Sequence, residues 1–410
     1  MINKHDERIV NLLPLVLVLV SNLVQNERIF MIIKEFLHWT TSSDTKSRVK
    51  AVNALCEAFV TGQFLSDEMH AAECSMALLL EDKSPDVRRS MATTLATSDV
   101  APPMIINALA QDQIDVSAPV LAYSPLLSDN NLVDLIANGD FGRQYIIATR
   151  MHLSPSVCAA LIEVGDKEAV LALMQNTDAH IARVSISRLA DRFGHCGRVR
   201  SLLLERDDLP ANTRHQLVEE LGNTFANDAF VGALLGRERV KHVAKDACLH
   251  ATLALAETAQ GDDMLALVEH LRIAGKITPS FLVHTLCVGN VDFFATTIGK
   301  LSGKSPQRIR AILSDGQYSV VKALYHSAGL SSELSPVFVD ATLMWRDASK
   351  REMGNHAADI TEHLISKYAS ELHTDTPISE LLMMLENIQF TQSCKAAKQY
   401  ALSLKFDVAA

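Results

Sequence analysis

Ser84-Pro85-Asp86-Val87-Arg88-Arg89-Ser90-Met91-Ala92-Thr93-Thr94-Leu95 is the stretch that decides the fold. A hydroxyl at an N-cap accepts from an orphan backbone N–H, and proline at the next position has no N–H to orphan. Val87, Met91 and Leu95 then recur at helical spacing and supply one apolar face. The same device returns along the chain. Of 12 prolines, seven follow Ser or Thr. Ser84-Pro85, Ser154-Pro155, Thr278-Pro279, Ser305-Pro306, Ser335-Pro336 and Thr376-Pro377 each open an apolar helical pattern, and Ser124-Pro125 reads as a turn. No sustained period-two alternation with hairpin signals appears, so the chain is expected to be all-α, built from many short helices.

From about residue 66 to 221 the helices pair into a loose repeat. Polar turns bearing Asp or Asn follow Leu80, Leu109, Ile136, Leu173 and Leu203. These positions recur at uneven intervals of roughly 30 residues, a period that belongs to helix-pair arrays. In such arrays each unit buries its apolar face against its neighbours. Aromatics make up only 5% of the chain, so Ala, Leu, Val and Ile must carry the packing between stacked helices. The start Asp86-Val87-Arg88-Arg89, with Ala92 and Leu95 beyond, resembles the second helix of a HEAT repeat in shorter, irregular units. The expected fold is therefore a HEAT-like α-solenoid.

The pattern changes after residue 258. Gly275 fits a helix C-terminus before Thr278-Pro279. Leu286-Cys287-Val288-Gly289-Asn290-Val291, Gly303-Lys304-Ser305-Pro306 and Ala328-Gly329-Leu330 follow. This divides the chain into HEAT-like repeats over 31–258, a distinctive helical block over 259–349, and a connector with capping helices over 350–410. The order of those motifs, with Met31-Ile32-Ile33-Lys34-Glu35-Phe36-Leu37 upstream, resembles the mainly alphaproteobacterial domain-of-unknown-function family twenty-three thirty-six. The likeness spans Met31 to Trp345 and is most specific from Gly275 to Leu330. It implies an all-helical cytoplasmic protein with no assigned reaction, and it transfers no catalytic residue.

Residues 1–30 have no counterpart in that family. Leu12 to Val20 is an apolar run broken by Pro14 and shorter than a spanning helix needs. Two readings stay open: a hydrophobic leader, or a stretch upstream of a native start at Met31. Elsewhere no membrane contact is expected. Seven scattered cysteines, never in a C-x-x-C pair, suit reduced thiols of a cytoplasmic protein.

No residue pattern makes a convincing catalytic, metal or cofactor site. Gly303-Lys304-Ser305 has Ile298 where a Walker loop requires glycine, and Ser305-Pro306 is better explained as a helix start. His356, Asp359 and His363 share a polar helix face, His195 and Cys196 are neighbours in a loop, and Cys248 and His250 offer no third group. Phe281, Phe293 and Phe294 read as core rather than as a ligand pocket. Met383 and Met384 lie on an amphipathic terminal helix that either caps the array or docks a partner.

Charge gives the remaining signal. A net charge of −10 and a pI near 5.8 argue against a general nucleic-acid binder. Locally, Arg183, Arg188, Arg192, Arg198 and Arg200 are opposed by Asp191 alone, and Arg237, Arg239, Lys241 and Lys245 form a second group with Glu238. The reading that follows is a non-catalytic interaction or regulatory scaffold. Its concave face would display Arg88, Arg183, Arg188, Arg192, Arg198 and Arg200 to an acidic protein partner. The alternative is a HEAT-like nucleic-acid-binding protein or enzyme using a basic groove.

Overall fold

A computed structural model describes residues 44–64, 66–348, 356–371 and 377–407. Among them are 22 α-helices and no strand, an all-α array of packed helix pairs of the kind a helical-repeat solenoid requires. The chain divides into two compact units that meet in sequence between Arg206 and Asp207. The change of pattern after residue 258 falls inside the second unit. The Leu12 to Val20 run, Met31 to Leu37 and Thr376 lie outside the described residues. Among those described, no helix is long and apolar enough to cross a membrane.

The first unit holds α1 (Thr45–Val60), α2 (Ser66–Leu79), α3 (Pro85–Leu95), α4 (Pro103–Gln111), α5 (Ile114–Tyr123), α6 (Asp129–Asn138), α7 (Phe141–Ala148), α8 (Pro155–Val164), α9 (Lys167–Gln175), α10 (Arg183–Phe193) and α11 (Gly197–Leu204). Each odd-numbered helix packs on the next odd-numbered one, from α1 through α11, and α6, α8 and α10 form a second row. Leu109, Ile136, Leu173 and Leu203 are fully buried in this array. Leu80 is half-buried at the turn after α2, and Leu79 takes the core position instead. An adjacent leucine pair carries no phase of its own, so the period alone places the repeat one residue late there.

The second unit holds α12 (Ala211–Ala226), α13 (Ala229–Leu235), α14 (Arg237–Thr258), α15 (Gly261–Ile273), α16 (Pro279–Val288), α17 (Val291–Ser302), α18 (Pro306–Asp315), α19 (Tyr318–Ser327), α20 (Ser335–Ala348), α21 (His356–Lys367) and α22 (Pro377–Asp407), with a 3-10 turn at Ala369–Glu371. Its core is the aromatic one of the molecule. Phe281 meets Phe293 edge-on at 6.0 Å, and Phe294 packs between Tyr325 and Phe338. All three phenylalanines are core, and Phe281 also borders a cleft. Gly303 is the left-handed C-cap of α17, which accounts for its glycine without any phosphate.

The hydroxyl–proline device works as read at most sites. Ser154, Thr278 and Ser305 each accept a hydrogen bond from the backbone N–H three residues on. Ser84 stands at the N-cap position, but its N–H donates to Asp82 instead. Ser335 is already helical: Ser331 accepts from the Leu334 N–H, and the Ser335 hydroxyl donates back to the Ser331 carbonyl. Ser124 closes α5 and receives the Leu126 N–H, a turn as expected.

Helix ends explain most of the remaining polar order. Each C-terminus leaves carbonyls with no intrahelical donor. Here side chains from later in the chain reach back to them. Arg143 donates to the Gln111 and Asp112 carbonyls at the end of α4, and Arg150 to Leu121 and Ser124 at the end of α5. Asn176 serves Ala148 and Arg150 after α7, and Arg192 serves Ile162 and Gly165 on α8. In the second unit Asn290 caps Ala256 of α14, while Arg346 holds the Ile312, Leu313 and Gly316 carbonyls of α18. Donor and acceptor lie between 26 and 34 residues apart in every case. Guanidinium suits the task because it carries five donors and a positive charge at the negative end of a helix.

Replacing Arg346 by methionine should lower unfolding free energy by about 2–4 kcal/mol, since three carbonyls lose their donor. Arg198→Met, at an exposed position, should change it by less than about 0.5 kcal/mol. Equal effects in urea melts would refute the capping account. Leu203→Ala should cost roughly 2–5 kcal/mol and Leu80→Ala about 1 kcal/mol or less, measured the same way.

Candidate functional site

The arginines expected to line one face are dispersed by the fold. Arg88 sits on α3, in the odd-numbered row, while Arg183, Arg188 and Arg192 sit on α10 in the other row. Arg88 bridges turns: it donates to the Asp82 carbonyl and pairs bidentately with Asp112. Arg192 caps α8, and Arg200 is only 7% exposed with its guanidinium on the Gly194 carbonyl. Arg188 pairs with Glu163 at 2.9 Å across the surface. Arg183 and Arg198 are exposed. Arg88, Arg192 and Arg200 thus have intramolecular partners among the backbone carbonyls, while Arg183, Arg188 and Arg198 keep exposed positions.

The other sequence candidates are also separated. His195 is exposed and Cys196 is half-buried as the N-cap of α11; among the described residues no hydrogen bond joins them. The Val199 N–H in the first turn of α11 draws the Cys196 thiol below its ordinary range, with Lys167 adding to the effect. Cys56, Cys74, Cys158 and Cys287 are buried, and desolvation raises their thiols. The side chains of His356 and Asp359 lie outside the described residues, and His363 is exposed. Among the described residues no group of three or more His, Cys, Asp or Glu side chains is placed to hold a metal.

What the second unit does contain is a cleft of about 1090 Å³. Its walls are α12 and α14 on one side, and the α15–α16 connection, α16 and the start of α22 on the other. Lys241, Lys245, Leu249 and Thr252 face it from α14, Phe281 and His284 from α16, and Met383 and Met384 from α22. Gly222 brings α12 against α14: a Cβ there would fall 2.3 Å from the Cys248 sulfur. Burial raises the Cys248 thiol, a group that serves packing at that crossing.

Along the α12 wall runs a polar cluster. His215 on α12 is 2% exposed, and its Nδ1 lies 3.1 Å from His270 Nε2 on α15. One turn on, Glu219 pairs with Lys276 at 2.7 Å and stands 4.0 Å from His215 Nε2. Desolvation, aided by His270, pulls His215 down to about 4, and burial lowers His270 as well. Both imidazoles are thus neutral at pH 7, with one ring donating to the other. Glu219 and Lys276 both line the cleft. No motif could have announced this pairing, since His215 and His270 are 55 residues apart.

A family model described as an uncharacterised protein conserved in bacteria, DUF2336, matches residues 116–376. The chain belongs to the DUF2336 family. That match begins within α5 and ends just before α22, later at both ends than the likeness read from Met31 to Trp345. His215, Glu219, His270 and Lys276 thus fall inside the DUF2336 region, and Met383 and Met384 fall outside it. No curated protein and no solved structure matches the chain.

The histidine pair makes stability depend on pH. A histidine lowered from about 6.5 to about 4 favours the folded state fully above pH 6.5, and that contribution is lost as pH falls toward 4. Unfolding free energy should therefore drop by about 2 kcal/mol between pH 7 and pH 5. His215→Phe should flatten that slope; an unchanged slope in urea melts across this range would remove His215 as its source.

Proposed function

We propose that the protein is a non-catalytic scaffold that receives a segment of a partner protein in the cleft of its second unit. The observation that carries this reading is the cleft itself. Its volume is at the upper end of small-ligand pockets, about 300–1,000 Å³. It mixes apolar and charged walls from five parts of the chain rather than converging a few polar groups on one point. Met383 and Met384 give one wall side chains that adapt to different contacts.

Charge within the cleft gives a direction. Lys241 and Lys245, with Asp246 beside them, stand toward the start of α14, and Glu257 near its end, with Glu380 on α22. At 1.5 Å per residue, Lys245 and Glu257 are about 18 Å apart along the helix. A bound segment would place its acidic end by the lysines and its other end by the carboxylates. The acidic partner expected from sequence thus becomes a partner acidic at one end, and the lysines of α14 replace the arginines of α10 as its receptors.

The test is capture of the native partner by the full chain, identified by mass spectrometry and then titrated as a purified protein. Lys245→Glu with Met383→Asp should weaken its binding at least tenfold, whereas Arg183→Glu with Arg188→Glu should leave it within twofold. Arg192 is excluded from the comparison because its loss would uncap α8. Binding that ignores the cleft pair and follows the α10 pair would refute the assignment.

A further inference from the structure

The segment from Asn227 to Lys245 contains a surface that neither the fold nor the cleft explains. α13 reads Ala229-Phe230-Val231-Gly232-Ala233-Leu234-Leu235, and Gly232 is its only buried residue. Phe230, Leu234 and Leu235 are 73%, 67% and 54% exposed. A helix this apolar normally turns its large side chains inward, because each leaves water at a gain of about 1.5–3 kcal/mol. Here they point outward. The helix packs on α14, where the Arg237 stem lies against Gly232 at 3.2 Å from a notional Cβ. It stands on the unit as an exposed apolar ridge. On α12, nearby in sequence, Leu221 and Phe225 are exposed too.

The chemistry flanking this ridge is specific. From Asp228 through Asp246 there are four Arg and Lys residues, Arg237, Arg239, Lys241 and Lys245, and three carboxylates, of which Asp228 caps α13 and Asp246 pairs with His242, leaving Glu238 beside the cations. All four cations are exposed. Lys241 pairs with Glu238 at 3.2 Å on the open surface, where such a pair holds the lysine weakly. The whole chain carries a charge of −10, so a segment with more cations than carboxylates stands out beside an exposed apolar helix. Exposed phenylalanine and leucine with an adjacent arginine and lysine cluster match an anionic lipid interface. The rings and branched chains enter the headgroup boundary, and the cations meet phosphate. Phe230 and Leu234 stand one turn apart on the same face of α13 and are the most exposed of the three.

We infer that α13 and the start of α14 form a peripheral binding surface for anionic phospholipid bilayers. The cations supply attraction, and Phe230, Leu234 and Leu235 supply shallow insertion. No helix needs to cross the bilayer. This departs from the sequence reading, in which residues 1–30 offered the sole route to a membrane. Lys241 and Lys245 are shared with the cleft, but Phe230, Leu234, Arg237 and Arg239 are not part of its lining, so these four separate the two proposals.

Co-sedimentation of the full chain with vesicles tests it, using phosphatidylcholine alone and phosphatidylcholine mixed with phosphatidylglycerol. The full chain should sediment with the anionic vesicles, be released by raised salt, and stay in solution with the neutral ones. Arg237→Gln with Arg239→Gln should weaken binding roughly 30-fold, since each cation near such a surface is worth about 1 kcal/mol. Arg237→Lys with Arg239→Lys should restore it, which separates charge from folding. Phe230→Ser with Leu234→Ser should abolish binding while the helical circular dichroism stays unchanged. Met383→Asp alone, a change in the cleft that leaves every cation of this surface in place, should still sediment, so failure of the cleft reading would not be mistaken for failure here. No sedimentation with anionic vesicles, equal binding to neutral ones, or indifference to both surface pairs overturns the proposal. The first of these outcomes would leave the ridge to a protein partner.

Discussion

The constraint on which this structure depends is the supply of hydrogen-bond donors to helix C-termini. The 22 helices among the described residues, most of them short, create far more orphan carbonyls than a few long ones would, and packed neighbours keep water from many of them. Burying such groups unpaired would cost more than the packing of small aliphatic side chains returns. Arg143, Arg150, Asn176, Arg192, Asn290 and Arg346 meet the demand by reaching back about one repeat to an earlier helix end. The same contacts fix the stacking register. A guanidinium that must meet two carbonyls at once allows neighbouring helices little freedom to slide.

That constraint also redistributes charge. Arginines that look like a binding stripe in one dimension are the ones a repeat needs internally, and Arg88, Arg192 and Arg200 are used up this way. In the second unit, Arg237, Arg239, Lys241 and Lys245 stay exposed on the start of α14. The neutral His215–His270 pair and the Glu219–Lys276 bridge, which itself lines the cleft, join α12 to α15 and its following turn.

Much of the architecture was legible in the sequence, and the reasons are local. Ser154, Thr278 and Ser305 announce helix starts because capping needs only a few consecutive residues. Leu109, Ile136, Leu173 and Leu203 announce the repeat because burial follows period. Ser335 misled because two hydroxyls one turn apart compete for one role, and Ser331 takes the cap. The site was nearly illegible. Nothing in the local pattern of His215 shows that His270 will lie beside it, and nothing about Arg192 alone distinguishes a surface cation from a cap. One signal does lie in the sequence: an arginine or asparagine about one repeat beyond a helix end points to a structural role. The apolar run of α13 is a second, since so short a run beside a basic cluster cannot form a core of its own.

Because each of these links spans roughly one repeat and its helices pack on near neighbours in sequence, the first unit has almost no need of very distant partners, and its contact order is correspondingly low. A folded pair of helices offers the next pair both a packing face and a set of carbonyls awaiting donors. Order can therefore grow by accretion in either direction from wherever it first appears. On a ribosome, the earliest helices would be able to settle before the last are made, each new arginine closing the helix that emerged a repeat before it.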